Sequence, residues 1–177
     1  MKKRIFATCI LVGLVSLSHA QLADSIKVQL IKEWQRAKSY TKEYLDVVPG
    51  NKYNFRAQDS IRTFAQQMLH LAKMNIDMVS LGTGSLSLWK GMNLEKTKSA
   101  QTKDSVIYYV MSSYDYVLNN IAQMDAAKLG EKHKVANFDY MNLFWFLKAF
   151  EHQTHHRGQT TIYIRLMGLI PPDEKLL

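Results

Sequence analysis

The chain has 177 residues, 47% of them hydrophobic and 21% charged, with only 8 Gly and 3 Pro. These proportions exclude a disordered, collagen-like or multidomain protein and fit one globular unit long enough to bury its own core. The formal charge of +8 invites a nucleic-acid reading, but the basic residues are dispersed among acids without a stripe, so no nucleic-acid partner is expected.

Lys2, Lys3 and Arg4 precede an apolar run from Ile5 to Leu17 and the ending Ser18-His19-Ala20, the pattern of a secretory signal peptide cut after Ala20. Residues 1–20 are therefore expected to be a leader and 21–177 the mature domain, exported to a periplasm or secreted. With the leader set aside, Lys plus Arg falls from 23 to 20 against 15 Asp plus Glu, so the charge drops to +5, and the one cysteine, Cys9, is lost. A chain without cysteine has no disulfide, no thiolate nucleophile and no thiolate metal site. No later stretch approaches the roughly 20 apolar residues of a membrane-spanning helix, so no transmembrane segment is expected.

Four segments carry helical periodicity and none alternates with period two over a useful length, which makes the class all-α. The first helix is expected from Ala23 to Asp46, capped near Asp24 or Ser25, with Ile26, Leu30, Trp34, Ala37 and Leu45 on one face and Pro49-Gly50 as its stop. The second runs from Ala57 to Val79 and carries Ile61, Phe64, Met68, Leu71 and also His70. Residues 80–102 show no period and hold three glycines, so they read as a long crossover and a candidate lid. The third helix spans Asp104 to Met124, where Ile107, Val110, Tyr114, Val117, Ile121 and Met124 form a bundle seam. The fourth spans Asn137 to Met167, ended by Gly168 and Pro171-Pro172. The expected architecture is a four-helix bundle with a long crossover between helices two and three.

Only the fourth helix carries an informative cluster, Glu151-His-Gln-Thr-His-His-Arg-Gly-Gln159. Steps of three and four run Phe138, Asn142, Trp145, Ala149, His152, His156, Gln159, Tyr163, Leu166, Ile170, so an apolar seam turns to imidazole in its middle. His152 and His156 project from one face one turn apart and can share an ion. The same pair can instead be core histidines satisfied by hydrogen bonds. His155 lies one step off the seam. His70 falls on a mostly polar stripe, which fits a third ligand or a solvated face, and His133 beside Lys132 and Lys134 reads as an exposed loop residue.

The string His152-Gln-Thr-His-His156-Arg-Gly-Gln159, continued by Tyr163-Ile-Arg165-Leu-Met-Gly168-Leu-Ile-Pro171, resembles the closing motif of the DinB/YfiT-like superfamily of metal-dependent four-helix-bundle proteins. Tyr53-Asn-Phe-Arg56, leading to Ser60-Ile61 and Leu69-His70, resembles the start of that family's second helix with its single ligand histidine. The resemblance implies a three-histidine site of His70, His152 and His156, with water or substrate completing the coordination. Family members of known activity include thiol-dependent transferases and isomerases that work in the cytoplasm. Arg157 and Gln159 match the motif, which does not fix their roles: Arg157 is expected to make a buried charge-assisted hydrogen bond and Gln159 to face the site as an amide, with packing as the alternative for both.

The expectation is an exported metalloprotein holding a divalent transition metal, Zn²⁺ or Ni²⁺ preferred, that hydrolyses or transfers a group on a small-molecule ligand. Imidazole also suits copper and iron. The alternative is a non-catalytic bundle stapled by its metal with a binding or stress-related role, and a third reading has no metal at all. No general base is identified, because Glu151 points about 100° around the helix from His152. A homodimer is compatible with such a bundle, with no face identified.

Overall fold

Each of four amphipathic segments has an apolar face that only the other three can cover, and their mutual burial sets the architecture of the computed structural model. The structure describes residues 2–176, without the side chains of residues 2–19 and of His133. Helix α1 runs Lys2–Val47, α2 Phe64–Thr83, α3 Lys103–Gln123 and α4 Asn142–Leu166. Before α4, strands β1 (Lys132–Val135) and β2 (Phe138–Met141) form an antiparallel hairpin in which Lys132 faces Met141 and Val135 faces Phe138. Trp34, Leu45, Phe64, Met68, Tyr114, Ile121 and Phe146 are fully enclosed at the centre. Trp34 meets the edges of Tyr114 and Phe150 at centroid separations of 5.7 and 5.3 Å.

Helix ends expose backbone groups that need partners. Thr63 begins α2 with a reciprocal capping box, its hydroxyl accepting from Gln66 N–H while the Gln66 side chain accepts from Thr63 N–H. Gly84, at φ 70°, closes the same helix in the left-handed conformation. Lysines finish the other three. Lys103 Nζ donates to Asp46 O and Val48 O at the end of α1, Lys27 Nζ to Ala122 O and Met124 O at the end of α3, and Lys52 Nζ to Met167 O after α4.

The all-α bundle stands, with four corrections of extent. The expected start of the first helix at Ala23 is absent. The backbone is helical from Lys2, and Ser25 Oγ donates to Gln21 O inside the helix and caps nothing. Of the expected leader, Met1 and the side chains of residues 2–19 lie outside the described residues. The second helix begins at Phe64 and not Ala57, because Thr63 is the capping residue; Ile61, expected on its apolar face, is exposed. It also continues to Thr83, so Gly82 belongs to the helix and the crossover is 84–102, with a short 3₁₀ turn at Lys98–Gln101. The fourth helix begins at Asn142 and not Asn137, because residues 132–141 form the hairpin; Phe138, Leu166 and Ile170, expected on the inward seam, are exposed. The third helix falls within one residue of its expected limits.

Helices α2 and α4 come into tight contact at Gly82, where a Cβ would lie 2.2 Å from Trp145 Cγ. Trp145 is buried against this contact, so an added methyl has no space to take. Gly82→Ala is expected to destabilise the fold by about 1–3 kcal/mol through overpacking, despite the higher helix propensity of alanine. Urea unfolding checks this; equal or greater stability would show that Trp145 gives way freely.

Candidate metal centre

His70 stands roughly two turns into α2, and His152 and His156 stand one turn apart in the middle of α4. The close pairing of these helices brings one ligand nitrogen from each histidine within 4.8 Å of the other two. Ring centroids are 4.3 Å apart for His152 and His156, 4.6 Å for His70 and His156, and 5.1 Å for His70 and His152. A tetrahedral Zn²⁺ with bonds of about 2.0–2.1 Å sets its nitrogens roughly 3.3 Å apart, so modest ring rotations bring this set to ligating distance. Among the described residues no fourth His, Cys, Asp or Glu joins the group. The three histidines can thus hold a divalent metal and leave coordination positions free of protein.

Protonation favours that use. Burial, followed by the neighbouring His70, His155 and Arg62, pushes His152 down to about 4; burial and then His152, His70, His155 and Arg62 push His156 down to about 3. Both rings are therefore neutral near pH 7, the form that ligates. His152 Nδ1 is buried with no hydrogen-bond partner among the described residues. An orphaned buried nitrogen is costly, and within a three-imidazole cluster it fits a site built to receive an ion.

The other two rings are held from outside. His70 Nδ1 lies 2.8 Å from Glu95 Oε1, and Glu95 Oε2 accepts from Arg62 Nε at 2.6 Å. Burial works to raise the Glu95 carboxyl, but hydrogen bonds from Arg62 and His70 and their charges outweigh it and hold the group below its ordinary range. Arg62 Nη2, which can only donate, also lies 3.3 Å from His70 Nδ1, but the shorter contact is to a carboxylate that can only accept, so in neutral His70 the proton sits on Nδ1 and Nε2 keeps its lone pair. His156 Nδ1 lies 2.8 Å from the Gln67 side-chain amide, which also bonds Gln159, whose own amide lies 3.0 Å from His155 Nε2. Because an amide offers either an acceptor or a donor end, this chain serves His156 as acceptor or, with both amides turned, as Nδ1–H donor with Nε2 left for an ion.

His155 is exposed and stays outside the three-nitrogen group, and Glu151 is a surface residue paired with Lys148 at 2.8 Å. Strand β1 carries His133 opposite Tyr140, with its side chain outside the described residues. Arg157 is buried and donates to Gln153 Oε1 at 3.1 Å and Thr41 Oγ1 at 3.3 Å, with its guanidinium 4.5 Å over the Tyr40 ring. Gln159 is exposed and reaches the site through Gln67. Glu95, Arg62 and Gln67 escaped the sequence reading. Glu95 lies in an aperiodic segment, where no pattern marks one side chain as inward.

Two depressions flank the cluster. A cavity of about 690 Å³ is lined in part by Arg62, Gln67, Glu95, Gln159 and Tyr163, and one of about 310 Å³ by Met78, Lys148, Glu151, His152 and His155. The larger is walled by the histidines' hydrogen-bonding partners, and only His152 of the three reaches the smaller.

In metal-free protein the depressed histidines predict acid sensitivity. Between about pH 6.5 and pH 3 the unfolded chain binds protons that folded His152 and His156 refuse, so stability is complete above 6.5 and falls as pH drops through that window. Thermal melts of the parent should slope downward there, and a His152→Gln/His156→Gln double variant should show a shallower slope. Equal slopes would refute the assignment.

The sequence profile of the DinB family matches residues 19–176. None of the curated proteins matches the chain. Among solved structures, a DinB-like protein from Bacillus cereus ATCC 10987 superposes with a TM-score of 0.71 at 18% identity, over 82% of this chain and 95% of that one. A DinB-like protein from Bacillus subtilis superposes with a TM-score of 0.62 at 13% identity, over 84% of this chain and 99% of that one. At these identities the likeness to the solved structures is one of fold, and it agrees with the bundle described above. With the profile covering nearly its whole length, the chain belongs to the DinB family.

Proposed function

We propose that the protein is an exported metalloprotein in which His70, His152 and His156 hold a divalent transition metal, Zn²⁺ or Ni²⁺ in preference, and present it to a small molecule for hydrolysis or group transfer. The observation that carries this reading is the convergence of three ligand nitrogens within 4.8 Å with no fourth acidic or thiol ligand among the described residues. A closed structural site takes four protein ligands, whereas a reactive one keeps a position open. When bound, such an ion supplies Lewis acidity toward an oxygen or sulfur of the substrate. The chain's own groups do the rest: burial keeps His152 and His156 neutral, and the Gln67 amide holds His156 from behind. Export is part of the same proposal and is supported by the basic, apolar and small-residue order of residues 2–20. Among the described residues no helix is long and apolar enough to cross a membrane.

One observation favours the second reading, a metal that staples α2 to α4 without catalysis: the cavity of about 690 Å³ is walled by the ligands' partners, not by the histidines. Elemental analysis of untagged mature protein should find about one equivalent of transition metal, and almost none in His152→Ala. No metal in the parent, and no uptake of added Zn²⁺ or Ni²⁺, would refute both readings. If Co²⁺ loads, a change in its visible spectrum on adding azide or a small thiol supports the open site; an unchanged spectrum supports the staple.

A further inference from the structure

The crossover from Gly84 to Thr102 holds three lysines and a single acid, Glu95, and that acid is turned inward to His70. Every acceptor of the residue is engaged. Oε1 takes the His70 Nδ1 proton at 2.8 Å, Oε2 takes Arg62 Nε at 2.6 Å, and the main-chain carbonyl accepts from Gln66 Nε2 at 3.2 Å and Gln101 Nε2 at 2.8 Å. The preceding Leu94 is 1% exposed, so the segment is nailed to the core immediately beside the carboxylate. A glutamate serving only to solubilise a loop has no use for this many fixed partners.

We propose that Glu95 is a positioning residue for the three-histidine site, holding His70 with its proton on Nδ1 and its Nε2 free for a divalent ion, and thereby linking order in the crossover to metal occupancy. The proposal rests on the metal reading above and extends it to a residue outside the ligand set. A carboxylate behind a ligating imidazole fixes its tautomer and ring orientation and makes the ligand nitrogen more basic, and loss of such a partner weakens metal affinity by about 10- to 100-fold. Arg62 shares the carboxylate and fixes its rotamer, so the anion is in place before the metal arrives. The linkage is reciprocal: an ion that draws on His70 tightens the Glu95 contact, and with it the segment that carries Glu95.

The test compares mature parent, Glu95→Ala, Glu95→Gln and the exposed neighbour control Lys96→Ala. Zn²⁺ affinity is read by competition with a chromophoric chelator, the His70 tautomer by ¹⁵N NMR of metal-free protein, and crossover order by hydrogen exchange with and without Zn²⁺. Glu95→Ala should bind Zn²⁺ about 10- to 100-fold more weakly. Glu95→Gln, whose amide oxygen still accepts, should lose several-fold, and Lys96→Ala should match the parent. In the parent His70 should carry its neutral-form proton on Nδ1 and Zn²⁺ should slow exchange across 84–102; Glu95→Ala should lose both signatures. Affinity within twofold of the parent, or an unchanged tautomer, would overturn the proposal, and Glu95→Gln supplies the same readouts if Glu95→Ala does not fold. If the parent takes up no Zn²⁺, the metal reading fails by itself, and the metal-free tautomer comparison still decides whether Glu95 sets His70.

Discussion

The close pairing of α2 with α4 is the constraint on which the rest of the molecule depends. Three imidazoles from two helices converge only if the helix axes stand at a definite separation, and Gly82 against Trp145 is where side-chain bulk is removed to allow it. Tyr163 of α4 fixes the other end of the pair by donating to Arg62 O, just ahead of the Thr63 cap. The two contacts bracket the histidines, so the spacing of the three imidazoles is a property of helix packing more than of any loop.

Helix α4 is unusual in burying polar side chains along its inner face: Gln153, His156, Arg157 and Thr160 are all enclosed. Among the described residues Arg157 has no carboxylate partner. Its guanidinium is satisfied by Gln153, Thr41 and the face of Tyr40, while Tyr114 donates to Gln153 and shares a hydrogen bond with Thr41. Such a network tolerates one geometry, because each member left unpaired in this dry interior would cost about 1–3 kcal/mol. It locks the rotation of α4 against α1 and α3, and so determines which way His152 and His156 face.

Much of this was legible in the residues. Val110, Tyr114, Val117 and Ile121 step around the third helix without a break, and all four are buried. The His152 and His156 pair was visible because imidazoles interrupt an apolar seam; His70, on a polar stripe, needed the resemblance to be singled out. The hairpin was not legible. Its strands are four residues long, and its turn is made by Ala136 at φ 53° with Asn137, without the glycine that normally signals such a turn. Glu95 was hidden for a different reason: aperiodic chain carries no register, so its inward direction is decided by Arg62, Gln66 and Gln101, which lie far from it along the sequence or meet it only after folding.

The lysines at the ends of α1, α3 and α4 bear on cooperativity. Lys103 and Val48 are 55 residues apart, Lys27 and Met124 are 97 apart, and Lys52 and Met167 are 115 apart. The final turns of these three helices are thus completed by ammonium groups that arrive only when distant segments have docked. Taken alone, each helix would fray at its carboxyl end, with carbonyls left to water. Secondary structure at those termini is a product of tertiary assembly, and partial unfolding that parts α1 from α3 should unwind the carboxyl tips of both.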